Sequence, residues 1–292
     1  DKTGSGTIDS VVSGIQWSVD NGMNIISMSL GTPYNFLSLQ EAVDASYNRG
    51  LLNVAAAGNS GNSGGSGDNV IYPARYASVI AVGATDVNNN RAWFSSTGSD
   101  LELMAPGVSV NSTYPGDTYK QLSGTSMATP HASGVAALVW AKNPALSNTQ
   151  VRKILQDTAT DLGTADKDSQ YGYGLVNAQA AVEKASNPPT VPKLSVTVTT
   201  NKSTYKVGEL VQIFVRVTDV ANPVSGASVH VDLKTANGKR YAGDGTSNTD
   251  GLVTFWYMNK RSDGIGTYYV KAAASKAGYE SSSGATTFTV AK

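Results

Sequence analysis

The chain has 292 residues, which at roughly 150 residues per domain implies about two domains with ample core and excludes a disordered tail or a small disulfide scaffold. Charged residues make up only 15% of it, against about 25% in an average globular protein. The 22 basic and 22 acidic side chains cancel, so the chain lacks the overall positive field of a nucleic-acid binder.

Zero cysteine removes thiol catalysis, zinc-thiolate sites and disulfides together. No apolar run approaches the roughly 20 residues of a membrane-spanning helix. Asp1-Lys2-Thr3-Gly4 carries no initiator Met, basic region or apolar segment, which leads us to expect a fragment whose natural beginning lies elsewhere.

In chain order, Ile8, Val11, Val12, Ile15 and Val19 fall at helical spacing and stop at Asn21-Gly22. A strand follows over Ile25 to Leu30. Ser38-Leu39-Gln40-Glu41 reads as a capping box opening a helix that Gly50 closes, and Leu51 to Ala57 as a buried strand. Apolar runs at Val79 to Val82 and Leu101 to Met104, with helices near Ser126 to Ala141 and Ser147 to Thr158, extend the alternation. The expected fold is α/β, a parallel sheet with helices on both faces.

Asn187-Pro188-Pro189-Thr190-Val191-Pro192 is a stiff connector. The expected division is therefore 1–186, a linker at 187–192, and 193–292. Beyond the linker the apolar residues alternate, as in Ile213/Val215/Val217 and Val229/Val231/Leu233, and about seven strands fit, which predicts an immunoglobulin-like β sandwich. Charge is uneven between the parts: residues 1 to 192 hold 10 Lys+Arg against 15 Asp+Glu, and 193 to 292 hold 12 against 7. The zero total therefore conceals −5 and +5.

In an open parallel sheet ligands bind beyond the carboxyl ends of the strands. Two such ends, Ser29-Leu30-Gly31 and Ala56-Ala57-Gly58-Asn59, are small-residue corners that would admit an extended peptide or would simply pack tightly. In the segment Leu122 to His131, Ser126 falls at the N-terminus of an apolar helix. There the free N–H groups and the positive end of the helix dipole favour an oxyanion. A serine there could equally be a plain N-cap.

These motifs resemble the subtilisin-family serine endopeptidases: Gly124-Thr125-Ser126-Met127-Ala128-Thr129-Pro130-His131, Ala56-Ala57-Gly58-Asn59 and Ser29-Leu30-Gly31, supported by Tyr72-Pro73, Phe94 to Gly98, Met104-Ala105-Pro106-Gly107 and Tyr171 to Gly174. The similarity runs from Gly4 to about Ala185. It implies that Ser126 is the nucleophile and that the Asn59 amide with the Ser126 N–H stabilises the oxyanion. Gly4-Ser5-Gly6 and Ser29-Leu30-Gly31 would flank the substrate, with Thr125 also at the substrate. Ile8 and Leu30 would line an apolar subsite, and Ala56, Ala57 and Gly58 would wall the specificity pocket. Ile71 stands where many relatives have glycine, which implies a shallower pocket. The resemblance further implies secretion, no catalytic cofactor, a weak structural calcium site at the carbonyls of Ala74, Tyr76 and Val79 near Glu102, and a possible propeptide.

The family's acid and base histidine have no counterpart here. Of the two histidines, His131 lies about 140° round the helix from Ser126 and reads as a packed helix residue, while His230 falls in the sandwich. The Asp157, Asp161, Asp166 and Asp168 group reads as a solvated helix end and loop. The expectation is a serine endopeptidase acting on proteins or peptides, its acid and base supplied by an absent N-terminal segment. The alternative is a noncatalytic binding or adhesion protein. The positive excess of 193–292 suggests an anionic cell-wall or matrix partner.

Overall fold

The apolar runs around residues 25, 52, 79 and 101 become neighbouring strands of one sheet in a computed structural model, which describes residues 5–220, 222–276 and 278–292. The chain divides into two units, 1–190 and 191–292. The first contains α1 (Ile8–Asp20), β1 (Ile25–Met28), α2 (Leu37–Asn48), β2 (Leu52–Ala56), β3 (Val79–Thr85) and β4 (Leu101–Pro106). A hairpin follows, β5 (Val110–Tyr114) and β6 (Thr118–Leu122), then α3 (Thr125–Lys142), α4 (Asn148–Thr158) and α5 (Ala178–Lys184). Strand order β1-β2-β3-β4 is parallel throughout, with β1 at one edge.

Both faces of this sheet are covered, which is why its strands read as continuous apolar runs. Leu52, Val54, Ile80 and Val82 pack with Ala128, Ala132 and Ala136 of α3 and Ile154 of α4. On the opposite face Ala55, Ala81, Leu101 and Met104 pack with Ile15 of α1 and Val43 of α2. The α3 alanines recur every fourth residue on one helix face and are fully buried. With no side chain beyond Cβ, they let the α3 backbone lie close against the strands.

One expected cap is corrected. Ser38 lies inside α2, whose N-cap is Phe36 with no side-chain capping bond. The Tyr76 hydroxyl takes over instead: it accepts from the Phe36 N–H (3.2 Å) and lies 3.0 Å from the Phe36 carbonyl and 2.8 Å from Asn35 Oδ1. Gly50, at φ +92°, follows the end of α2. Thr7 and Ser147 do form capping boxes, with Ser10 and Gln150.

The second unit is a two-sheet β sandwich with nine strands among the described residues: β7 (Leu194–Thr200), β8 (Thr204–Lys206), β9 (Leu210–Asp219), β10 (Asn222–Pro223), β11 (Ser228–Lys234), β12 (Arg240–Thr246), β13 (Leu252–Met258), β14 (Gly266–Ser275) and β15 (Ser282–Ala291). One sheet has β9 between β10 and β13, with β7 also paired to β9; the other runs β12-β11-β14-β15-β8. Val211, Ile213, Val215 and Val217 meet Val231, Val270 and Val290 in its core. Tyr268 stacks on Phe288 at 5.0 Å between ring centroids. Asp263, in a single 3-10 turn, is fully buried. It accepts hydrogen bonds from Tyr257 (2.6 Å), Tyr241 (2.9 Å) and Lys239 (3.1 Å).

Candidate active site

Gly124 ends the loop after β6, its N–H held by the Gly107 carbonyl at 2.8 Å, and Ser126 is the second residue of α3. Asn59 follows β2 after a sharp bend. Gly58 sits there at φ +110°, and a Cβ would stand 2.9 Å from Ser96 Oγ and 3.1 Å from Ile71 Cγ1. Only glycine fits that conformation and that space.

The orientation of Asn59 is set by its neighbours. Thr125 donates to Asn59 Oδ1 twice, from its N–H (2.9 Å) and from Oγ1 (3.0 Å), while Oγ1 accepts the Gly58 N–H (3.2 Å). With its oxygen so engaged, the amide must turn its nitrogen the other way. A side chain at position 124 would meet Asn59 Nδ2 at 3.5 Å and the Ser126 N at 3.7 Å. Two N–H donors therefore border one small space at the N-terminus of a helix, where an oxyanion is favoured.

Pro130 lies inside α3 and has no N–H to offer the carbonyl four residues back, that of Ser126. Ser29 Oγ donates to that carbonyl at 2.7 Å instead. Ser126 Oγ in turn lies 3.4 Å from the Ser29 carbonyl, too long for a strong bond. The hydroxyl is thus held loosely at the end of β1. Nothing in the motif spacing announces this link between Pro130 and Ser29.

His131 does not pair with Ser126. The His131 Nδ1 lies 2.9 Å from the Met127 carbonyl, and its side chain is exposed rather than packed, a correction of the sequence reading. His230, on β11, lies 2.7 Å from Asp244. Ser126, Thr125, Asn59 and Gly58 come together, with Ser29 against Ser126. Ile71 projects over Gly31 and Gly58, its Cδ1 2.5 Å from where a Gly31 Cβ would be. Ala56 and Ala57 are buried, Ile8 is half-buried, and Ser5, Gly6 and Leu30 are exposed. Gly4 lies outside the described residues.

The model of the Subtilase family (Peptidase S8) matches residues 1–174. The chain belongs to the subtilase family. It is similar to Subtilisin DY of Bacillus licheniformis, 55% identical over 181 residues covering 62% of this chain and 65% of that protein. It is also similar to Subtilisin Savinase of Lederbergia lenta, 53% identical over 179 residues covering 61% of this chain and 64% of that protein. Among solved structures, Sphericase superposes with a TM-score of 0.56 at 38% identity, covering 60% of this chain and 65% of that one. The chain thus spans about two thirds or less of these subtilases.

The carbonyls of Tyr76 and Val79, expected to help ligate calcium in this subtilase, each accept a hydrogen bond from within the chain. The Tyr76 carbonyl accepts the Val79 N–H (3.0 Å), and the Val79 carbonyl accepts from Arg152 (3.2 Å). Ala74 is buried beside them. Glu102 receives Arg152 Nε at 2.7 Å and Gln156 Nε2 at 2.9 Å. The positive charge beside Glu102 is a guanidinium. Burial alone would lower the Arg152 pKa, but the Glu102 charge and hydrogen bonds outweigh it and raise it above its ordinary value. In the acidic loop, Asp168 accepts backbone N–H groups of Thr164, Gln170 and Tyr171. Among the described residues no three His, Cys, Asp or Glu gather for a metal, and no helix is long and apolar enough to cross a membrane.

Proposed function

We propose that this chain supplies the nucleophile, oxyanion hole and substrate wall of a secreted subtilisin-type serine endopeptidase, with the acid and the base coming from outside these 292 residues. The observation that carries it is the pair of donors, Asn59 Nδ2 and the Ser126 N–H, that border one space beside Gly124 while the two Thr125 bonds hold the Asn59 oxygen. Ser126 Oγ attacks the peptide carbonyl as the base removes its proton, and the carbonyl oxygen, now negative, accepts hydrogen bonds from both donors. Donors fixed in advance need no reorganisation as charge develops. Ser29-Leu30-Gly31, with Ser5 and Gly6, flanks the extended substrate, and Ile71 shortens the pocket for the side chain before the scissile bond. The edge position of β1 and the exposure of His131 and Leu138 on α3 support docking of the missing segment.

Reaction with a serine-directed phosphonylating reagent tests this. Alone, the chain labels slowly at Ser126, because no base takes the proton. Adding the part of a subtilisin that carries its acid and histidine restores labelling and peptide hydrolysis. Rapid labelling of the chain alone overturns the missing base, and a reconstituted complex that binds peptide without cleaving it favours the noncatalytic reading.

A further inference from the structure

We propose that the outer face of the five-stranded sheet in the second unit binds an acidic polysaccharide. The register sets Arg240 of β12, Lys234 of β11, Tyr269 of β14 and Thr287 of β15 side by side in one row. At about 4.8 Å between strands the row spans about 14 Å. Lys271 stands in the next row, opposite Asp232. These residues line an open concavity of about 590 Å³.

Two cations directly opposite each other on a sheet repel. Yet neither Lys234 nor Arg240 nor Lys271 forms an ion pair among the described residues, whereas Lys202 and Lys239 of the same unit pair with Glu209 and Asp263. Three cations against the single carboxylate of Asp232 around one hollow leave a positive excess that lowers the energy of an anion placed there. Arg240 offers a carboxylate two parallel N–H bonds, and the lysines offer point charges.

The rest of the face selects among anions. Tyr269 is 57% exposed and presents a flat ring on which the C–H face of a sugar can lie. Thr287, Thr289 and Thr267 add hydroxyls on the same face, and Asp232 is an acceptor for sugar hydroxyls. An acidic peptide carries its carboxylates on flexible stems and offers no ring face to lie on Tyr269. Asp232, and Asp244 paired with His230, would repel a closely charged phosphodiester chain. One carboxylate on each hydroxyl-rich ring matches both the charge and the polarity of the face.

The test uses the whole chain and immobilised polygalacturonate, with dextran, polyglutamate and duplex DNA as the other surfaces. The expected result is binding to polygalacturonate that weakens with salt. It falls about tenfold or more in the Lys234→Gln/Arg240→Gln/Lys271→Gln variant, as loss of three charge contacts implies, and falls also in Tyr269→Ala. A Lys202→Gln/Lys276→Gln variant binds like the parent, and unfolding curves verify that each variant is folded. No binding by the parent, unchanged binding by the triple variant, or tighter binding to polyglutamate or DNA overturns the proposal. Because the readout is adhesion, its failure leaves the proteolytic reading untouched.

Discussion

At Asn59 the amide oxygen is held by Thr125, and in the proposed mechanism the nitrogen donates to the oxyanion. Replacing it with alanine in the reconstituted protease is expected to lower turnover by about 10²–10³ with little change in KM, the figure subtilisins themselves supplied for losing one such donor. Single-turnover kinetics would check it, and an equal loss in KM would mean that Asn59 serves ground-state binding. Ile71→Gly is expected to open the pocket over Gly31 and Gly58 and shift the kcat/KM ratio of Phe over Ala substrates by about tenfold or more. A ratio unchanged from the parent would place the pocket floor elsewhere. Asn59, Ser126 and Ile71 stand out in the sequence because motif and position mark them. Ser29 and Thr125 as supports do not, since their partners lie 97 and 66 residues away and hydrogen bonds between distant loops leave no periodic trace.

Among elements, the legible ones carry their own signal: β2 and β3 are buried runs, apolar but for Asn53 and the terminal Thr85, and the buried residues of β9 alternate from Val211 to Val217. The misread start of α2 came from a local pattern at Ser38 overridden by Tyr76, brought in by the fold from far along the chain. Exposed β5 and β6 have no buried face to print a period, and β12 hides behind Gly243 and Gly245, where a Cβ would crowd Phe255 and Val253. The turn at Asp263 is likewise invisible until Tyr257, Tyr241 and Lys239 converge on it. Burial tends to raise the Asp263 pKa, but hydrogen bonds from Tyr257, Lys239 and Tyr241 prevail and hold it down to about 2. A carboxyl whose pKa is depressed by folding adds stability that is complete above its unfolded value, about 3.9, and is lost as pH falls towards 2. Asp263→Asn is expected to cost the sandwich about 2–4 kcal/mol at pH 7 and to flatten that acid dependence. Denaturant unfolding followed at Trp256, the unit's one tryptophan, would check it; a variant as stable as the parent would show that the amide satisfies the same donors. In the first unit, Glu102→Gln strands the buried Arg152 guanidinium and is expected to cost about 3–5 kcal/mol. Calorimetry would decide, with no loss meaning that water reaches the guanidinium.

For the whole molecule, each unit has its own apolar cluster, and we expect calorimetry to resolve two transitions, only one of which responds to Asp263→Asn. The residues before and after position 190 carry −5 and +5, and the sum is zero at pH 7. Proteins normally stay apart in solution because all copies share one sign of net charge. Here that protection vanishes near neutral pH, while the acidic unit of one copy attracts the basic unit of the next. Such a protein salts in: added electrolyte screens the attraction over about 8 Å at physiological strength, so concentrated samples clear as sodium chloride rises and cloud on dialysis into water.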